Sequence, residues 1–184
     1  MKHHFSPKSA ALSIFFNELK MPSPSTFSTS DFKKRLAQTL IDRVAPTHFI
    51  TLSLCPNRQI AGVNGGQTFV RGDDVIYCET YMSFVRALSK RVTDKQRWKR
   101  HKQLLRSACA IEGGMHDKEF HLHLIIAFPD HIEETAMSEL VTQTAEGNPW
   151  IKDGRYGCDI ERIKNAYDVA RYCMKEGTDR LIYT

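Results

Sequence analysis

No apolar run in this chain approaches the roughly 20 residues that a membrane-spanning helix needs. No two cysteines are spaced C-x-x-C, and the five present (Cys55, Cys78, Cys109, Cys158 and Cys173) are scattered and odd in number. That usage argues against a disulfide framework or a zinc ribbon and predicts reduced thiols in a cytoplasmic protein. After Met1-Lys2-His3-His4-Phe5, the apolar patch over 10–16 is cut short by Asn17, Glu18 and Lys20, so no secretory signal is expected. Gly62, Gly65 and Gly66 are not followed by the Lys-Ser/Thr of a phosphate loop and carry no nucleotide-binding expectation.

What remains is a chain of ordinary globular composition, 41% hydrophobic and 26% charged over 184 residues, long enough for one domain with a substantial core. The net charge of +5 is unevenly placed. From Arg86 to Arg106 there are nine lysines and arginines against one acid, Asp94. Within this stretch Arg97, Trp98, Lys99, Arg100 and Lys102 interleave cations with an aromatic, a pattern suited to phosphates and to stacking on a base. A solvated helix face with Trp98 and Leu105 turned toward the core explains the same residues.

Residues 1–29 are rich in serine and proline and predict a flexible N-terminal arm. From there Phe32, Leu36, Leu40 and Val44 recur every four residues, with Ser30 or Asp31 as N-cap and Pro46 as the stop, which predicts an amphipathic helix. Residues 47–54 alternate as a strand does. Residues 55–74 read mostly as loop, 75–90 as a helix, and Thr93-Asp94 as the restart of a second, basic helix reaching about Arg106. Strands are expected over 107–112 and 120–128, joined as an antiparallel hairpin through Gly113–Glu119. A helix over 132–145 capped by Asp130, a strand over 156–163, and a last helix over 166–176 capped by Asn165 complete the reading. Strands and helices intermix without a βαβ repeat, so the expected fold class is α+β, a central antiparallel sheet flanked by helices.

The chemistry gathers at three places. His121 and His123 alternate with leucine in an apolar strand, so both imidazoles project from one face. Glu112 closes the preceding strand, and a hairpin would bring its carboxylate near them. Two imidazoles and a carboxylate leave coordination positions open on Mg2+ or Mn2+ for a phosphate oxygen. The third place is the last helix, where Asp168, Tyr172 and Lys175 lie at i, i+4 and i+7. Tyr172 is a usable nucleophile toward a polarised phosphate, with Lys175 favouring the phenolate or the charged transition state.

With these residues in view, the chain resembles the HUH endonucleases, in particular the rolling-circle replication initiators (Rep proteins) of small plasmids and circular single-stranded DNA viruses. Phe49-Ile50-Thr51-Leu52-Ser53 is similar to the first Rep motif, of the Phe-x-Thr-Leu-Thr type. His121-Leu122-His123 resembles the metal-binding second motif. The stretch from Asp168 through Tyr172 and Lys175 to Gly177 resembles the third, Asp-Val-x-x-Tyr-x-x-Lys-Asp-Gly. The resemblance runs from about Thr47 to Gly177 and implies a nuclease domain over 30–184 with the family's ferredoxin-like, RNA-recognition-like sheet. It implies nicking and joining of single-stranded DNA at a replication origin, commonly a stem-loop, through a 5′-phosphotyrosine intermediate. By motif, Tyr172 is the nucleophile, Lys175 its helper, and His121, His123 and Glu112 the ligands of Mg2+ or Mn2+. Tyr167, off the Tyr172 face, reads as a supporting aromatic, with Asp168 as a further auxiliary. The helicase loop Gly-x-x-x-x-Gly-Lys-Ser/Thr of larger Reps does not occur in this sequence, which fits either a stand-alone nuclease domain with a host helicase as partner or a nuclease domain cut from a longer chain. Residues 1–45 match no motif.

Three other readings use some of the same residues. A single-strand transposase or a relaxase shares His-x-His and a helical tyrosine. A small metalloenzyme with a site of two histidines and one carboxylate accounts for Glu112, His121 and His123 but leaves Tyr172, Lys175 and the basic stretch as coincidence. A non-catalytic nucleic-acid-binding module would use the sheet alone.

Overall fold

A computed structural model describes residues 28–61, 67–113, 119–154, 157–175, 178 and 180–184. The first helix, α1 (Thr29–Val44), is capped by Ser28, whose hydroxyl accepts the Asp31 N–H at 3.2 Å. The cap therefore comes two residues earlier than the nearer of the two predicted, and Ser28 and Thr29 belong to the helix rather than to the arm. The rest of the arm, 1–27, lies outside the described residues. The fourfold repeat does bury its stripe, with Phe32, Leu36, Leu40 and Val44 all inside. Ala45 ends the helix in the left-handed region (φ 48°) and Pro46 keeps it from resuming.

The chain then lays down strand β1 (His48–Ser53), a ribbon of β2 (Asn57–Ala61) and β3 (Gln67–Arg71), helices α2 (Asp74–Val92) and α3 (Lys95–His101), and strands β4 (Ser107–Glu112) and β5 (His121–Ile126). Helix α4 (Glu134–Glu146), strand β6 (Cys158–Arg162), helix α5 (Ala166–Tyr172) and strand β7 (Leu181–Tyr183) follow. Five strands form one antiparallel sheet in the order β6-β1-β5-β4-β7. The fold is the expected α+β class, with helices on both faces of this sheet.

Strand alternation divides the two faces. Ile50, Leu52, Ile111, Leu122, Leu124 and Ile126 point to a large core completed by Tyr77, Tyr81, Phe84 and Leu88 of α2 and by Met137 and Val141 of α4. On the other face Ala108, Ala110 and Ile125 pack under Phe32, Leu36 and Leu40 of α1 and Ala170 of α5, with Phe49 at the margin. Among the described residues that second layer covers only part of its face. Beyond Ile125, the β5 positions that continue it are His123 and His121.

Several elements depart from the sequence reading. Residues 55–74, expected to be mostly loop, contain the β2–β3 ribbon; both of its faces are largely exposed, so it carries no burial period to read. The glycines 62–66 lie outside the described residues. Helix α2 runs to Val92 rather than stopping at Lys90. The basic helix stops at His101, not near Arg106, because Lys102 turns left-handed (φ 47°); Leu105 is then tied by its N–H to Ser89 Oγ at 2.8 Å. Its restart at Asp94 is as expected, with Oδ1 accepting from the Gln96 and Arg97 N–H groups. Helix α4 starts at Glu134, not Ile132, with Glu133 rather than Asp130 as N-cap, since the Ile132 N–H is spent on Pro129 O. The last helix ends at Tyr172 instead of Glu176, although Asn165 does cap it. Strand β6 starts at Cys158; Tyr156, Glu176 and Gly177 lie outside the described residues. Strand β7 has no counterpart in the sequence reading. No helix among the described residues is long and apolar enough to cross a membrane.

Leu36 is fully buried between α1 and the sheet. Leu36→Ala should lower the unfolding free energy by about 2–5 kcal/mol, whereas Arg97→Ala on exposed α3 should change it by less than about 0.5 kcal/mol. Urea titrations of the two variants give the comparison.

Candidate active site

The central pairing places the chemistry. Thr51 on β1 and Ala110 on β4 flank His123, and Ser53 and Glu112 flank His121 in the next row. The alternation on β1 therefore sets a hydroxyl beside each imidazole. Thr51 Oγ1 lies 3.1 Å from His123 Nδ1, and Ser53 Oγ lies 3.4 Å from His121 Nδ1. With Nδ1 occupied by a neighbouring hydroxyl, the outward nitrogen of each ring is Nε2. The two rings are stacked at 6.0 Å and 16°, and Phe49 stacks on His123 from the other side at 5.5 Å and 13°.

Glu112 reaches diagonally across the hairpin. Its Oε2 is 2.6 Å from His123 Nε2 and 2.7 Å from Lys175 Nζ, so one carboxylate oxygen joins an imidazole to an ammonium. The strand end that carries it is fixed by Gly113, which sits at φ +102° so close to the Glu119 carbonyl that no side chain would fit there. Lys175 and Tyr172 meet although the helix has ended. The Lys175 N–H binds Tyr172 O at 3.0 Å in a turn, and Nζ lies 3.8 Å over the Tyr172 ring. Tyr172, 43% exposed, stands edge-on to His123 at 5.2 Å and to Phe49 at 5.9 Å. Ala110, Glu112, His123, Tyr172, Lys175 and Arg180 enclose a cleft of about 10 Å³, room for one water or one ion.

Burial lowers the His123 pKa below 6.5; Glu112 pulls it back up, while Lys175 and His121 push it down again. The neutral imidazole is thereby favoured, which is the form that ligates a metal. Partial burial opposes the charge on Lys175, but its bonds to Glu112 and Tyr172 outweigh that and raise its pKa above the ordinary 10.5.

The donor types at His121, His123 and Glu112 therefore suit a hard or borderline divalent ion. Among the described residues, however, no three such groups already converge on one point. Glu112 faces His123 directly, and its hydrogen bond must give way before both can share an ion.

The structure thus brings together His121, His123, Glu112, Tyr172 and Lys175. It does not bring the basic segment to them. Arg97, Leu105 and Arg106 line a groove with Ala127, Phe128 and Pro129, beyond the far end of β5 and about 17 Å of strand from His121. On α3, Arg97, Lys99, Arg100 and Lys102 are exposed and Trp98 is half-buried, so α3 has no buried residue. Tyr167 is half-buried against the α1 layer, with the Arg171 guanidinium 5.9 Å from its ring centroid. Asp168 accepts from Asn165 Nδ2 at 2.6 Å in the α5 cap and does not line the cleft. Sequence reasoning missed Thr51, Ser53 and Arg180 as site residues. The first two were legible as hydroxyls at the same i, i+2 spacing as the histidines; nothing in the sequence marks Arg180.

Comparison with protein-family models, curated proteins and solved structures gives no match for this chain.

His123 should titrate below 6.5, the ordinary imidazole value. Glu112→Gln removes an attraction that partly offsets burial, so the titration should move further to acid. Imidazole resonances followed by NMR against pH would report both; a His123 titration above 6.5 in the wild type would contradict the environment described.

Proposed function

We propose that this protein is a single-strand DNA nicking and joining enzyme of the HUH type, with Tyr172 as nucleophile. The observation that carries the reading is the exposed Tyr172 ring set edge-on to His123 with the Lys175 ammonium 3.8 Å over its face. A phenol needs charge stabilisation to attack a phosphodiester, and a cation beside it supplies that where the oxyanion develops. The tyrosine Oη would form a bond to phosphorus as the bond to the 3′ oxygen breaks, leaving a free 3′-OH and a 5′-phosphotyrosine. The reverse step, attack by a 3′-OH on that link, rejoins strands without outside energy.

His121, His123 and Glu112 are the residues that would hold Mg2+ or Mn2+, whose contribution when bound is to polarise the attacked phosphate. Thr51 and Ser53 would keep their imidazoles turned with Nε2 outward. Glu112 has a second role at Lys175, where its carboxylate fixes the ammonium against the tyrosine ring. The exposed cations of α3 would act apart from the chemistry, as sequence-independent contacts to phosphates. Initiation of rolling-circle replication at an origin stem-loop, with a host helicase, is the biological setting this activity fits.

Incubating the protein with single-stranded DNA and Mn2+, then resolving the products on a denaturing gel, should show a covalent protein–DNA adduct. Tyr172→Phe should abolish it with binding nearly intact, EDTA should abolish it in the wild type, and Lys175→Ala should slow it by about 10²–10³-fold. Adduct formed by Tyr172→Phe but not by Tyr167→Phe would move the nucleophile; full activity in EDTA would remove the metal.

Charge reversal at Lys99, Arg100 and Lys102 should weaken DNA binding at low salt. It should also flatten the plot of log K against log salt by about 0.7–0.9 for each phosphate that is no longer neutralised. Unchanged affinity at low salt would mean that α3 is a solvated face.

A further inference from the structure

No described residue of the β2–β3 ribbon joins either hydrophobic core. Phe69 is 75% exposed and Ile60 41%, and neither joins either core. A lone two-stranded ribbon is marginally stable in water. Its side chains are basic, amide, hydroxyl or apolar, with Arg58 and Arg71 and no carboxylate.

The position of the ribbon is specific. It leaves β1 just past Ser53, at the His121 end of the sheet, where the Leu54 N–H binds Phe120 O at 2.9 Å. Its neck is closed by the Gly72 N–H on Pro56 O at 2.9 Å and by Tyr77 Oη donating to Cys55 O at 3.3 Å. A Cβ at Gly72 would collide with the Tyr77 ring, so the ribbon is anchored by a contact only glycine permits. Arg180 lines the cleft of Glu112, His123 and Tyr172, and it also lines a hollow of about 540 Å³ shared with Phe120, Arg71 and Gly72. The hollow also holds two carboxylates. Asp73 caps α2 by accepting the Ile76 N–H, and Asp74 is held by the Arg180 guanidinium. Beyond the hollow, Phe69 stands on the same ribbon face as Arg71, two residues away.

From this we infer that the ribbon is a binding arm for single-stranded nucleic acid, with Phe69 the platform on which a base of the strand leaving the Tyr172 cleft stacks. From Phe120 past Arg71 to Phe69 the run sets a cation between two aromatic rings, matching a strand that alternates phosphates with bases, while the Arg180 guanidinium is taken up by Asp74 and by the Gly113 carbonyl. Stacking of this kind tolerates any sequence because every base has a π-face. The ribbon's role rests on the nucleic-acid reading of the cleft only for the class of its occupant.

The test is fluorescence anisotropy of a short labelled oligo(dT) with full-length Tyr172→Phe protein in EDTA, so that no arm depends on nicking. Adding Phe69→Ala should weaken binding about 5- to 150-fold, the equivalent of one stacked base. Phe69→Trp should retain the affinity, and thermal melting should be the same in all three proteins. Unchanged affinity in Phe69→Ala overturns the proposal, as does a background protein that does not bind oligo(dT). A wild-type dimer in light scattering that Phe69→Ala converts to monomer also overturns it, since the ribbon would then be covered by a second copy of the chain. Failure to form a Tyr172 adduct would sink the nicking mechanism and leave the binding arm standing.

Discussion

The register that holds β5 between β1 and β4 is the constraint on which the candidate site depends. It sets Thr51, His123 and Ala110 in one row and Ser53, His121 and Glu112 in the next. A slip of one residue on β5 would turn the imidazoles into the apolar layer under α2 and α4 and put Leu122 and Leu124 in the cleft. What prevents the slip is on the opposite face, where Leu122, Leu124 and Ile126 are fully buried. Each such side chain contributes about 1.5–3 kcal/mol by leaving water. The polar geometry of one face is thus fixed by the packing of the other.

Within that frame the electrostatics settle around Glu112. Its side chain is only 14% exposed, and a carboxylate that far from water is costly unless paired. Lys175 supplies the balancing charge, which leaves His123 free to be neutral as its burial favours. The lysine reaches Glu112 because the helix stops at Tyr172 and the chain turns. A helix continued to Glu176 would have presented Lys175 along the same stripe as Asp168, which here is occupied with its own N-cap.

The α+β class, α1 and the β4–β5 hairpin were legible in the sequence because each buries one face at a regular period. Phe32, Leu36, Leu40 and Val44 show this for a helix, and the alternating leucines of 121–126 for a strand. His121, His123 and Glu112 could be grouped in advance because two of them share a strand face and a hairpin brings the third, whereas Tyr172 and Lys175 were joined to them only through the resemblance of the last helix to the third Rep motif. The β2–β3 ribbon was not legible, since a strand exposed on both faces leaves no apolar pattern. The early stop of α3 depends on one left-handed residue, Lys102, which composition does not favour there. Arg180 was hidden for a different reason: its place in the cleft follows from β7 pairing with β4, a contact between distant parts of the chain.

Residue size explains why the site opens at this point and not elsewhere on the sheet. The α1–α5 layer rests on Ala108 and Ala110 of β4 and meets them with Ala170 of α5. Three small side chains let the helix approach the sheet closely, and α5 ends as it passes over Phe49 and His123. A bulkier residue at 110 would lift the helix end and carry the Tyr172 ring away from His123. Next along the same face, among the described residues, come the two histidines, the glutamate and the hydroxyls of β1. The α1–α5 layer thus covers the sheet where its residues are small and apolar, and the side chains of Phe49, Tyr172 and Lys175 cover it where they are polar. Tyr172 sits at that boundary, packed against one ring at its edge and reachable from solvent on the other side.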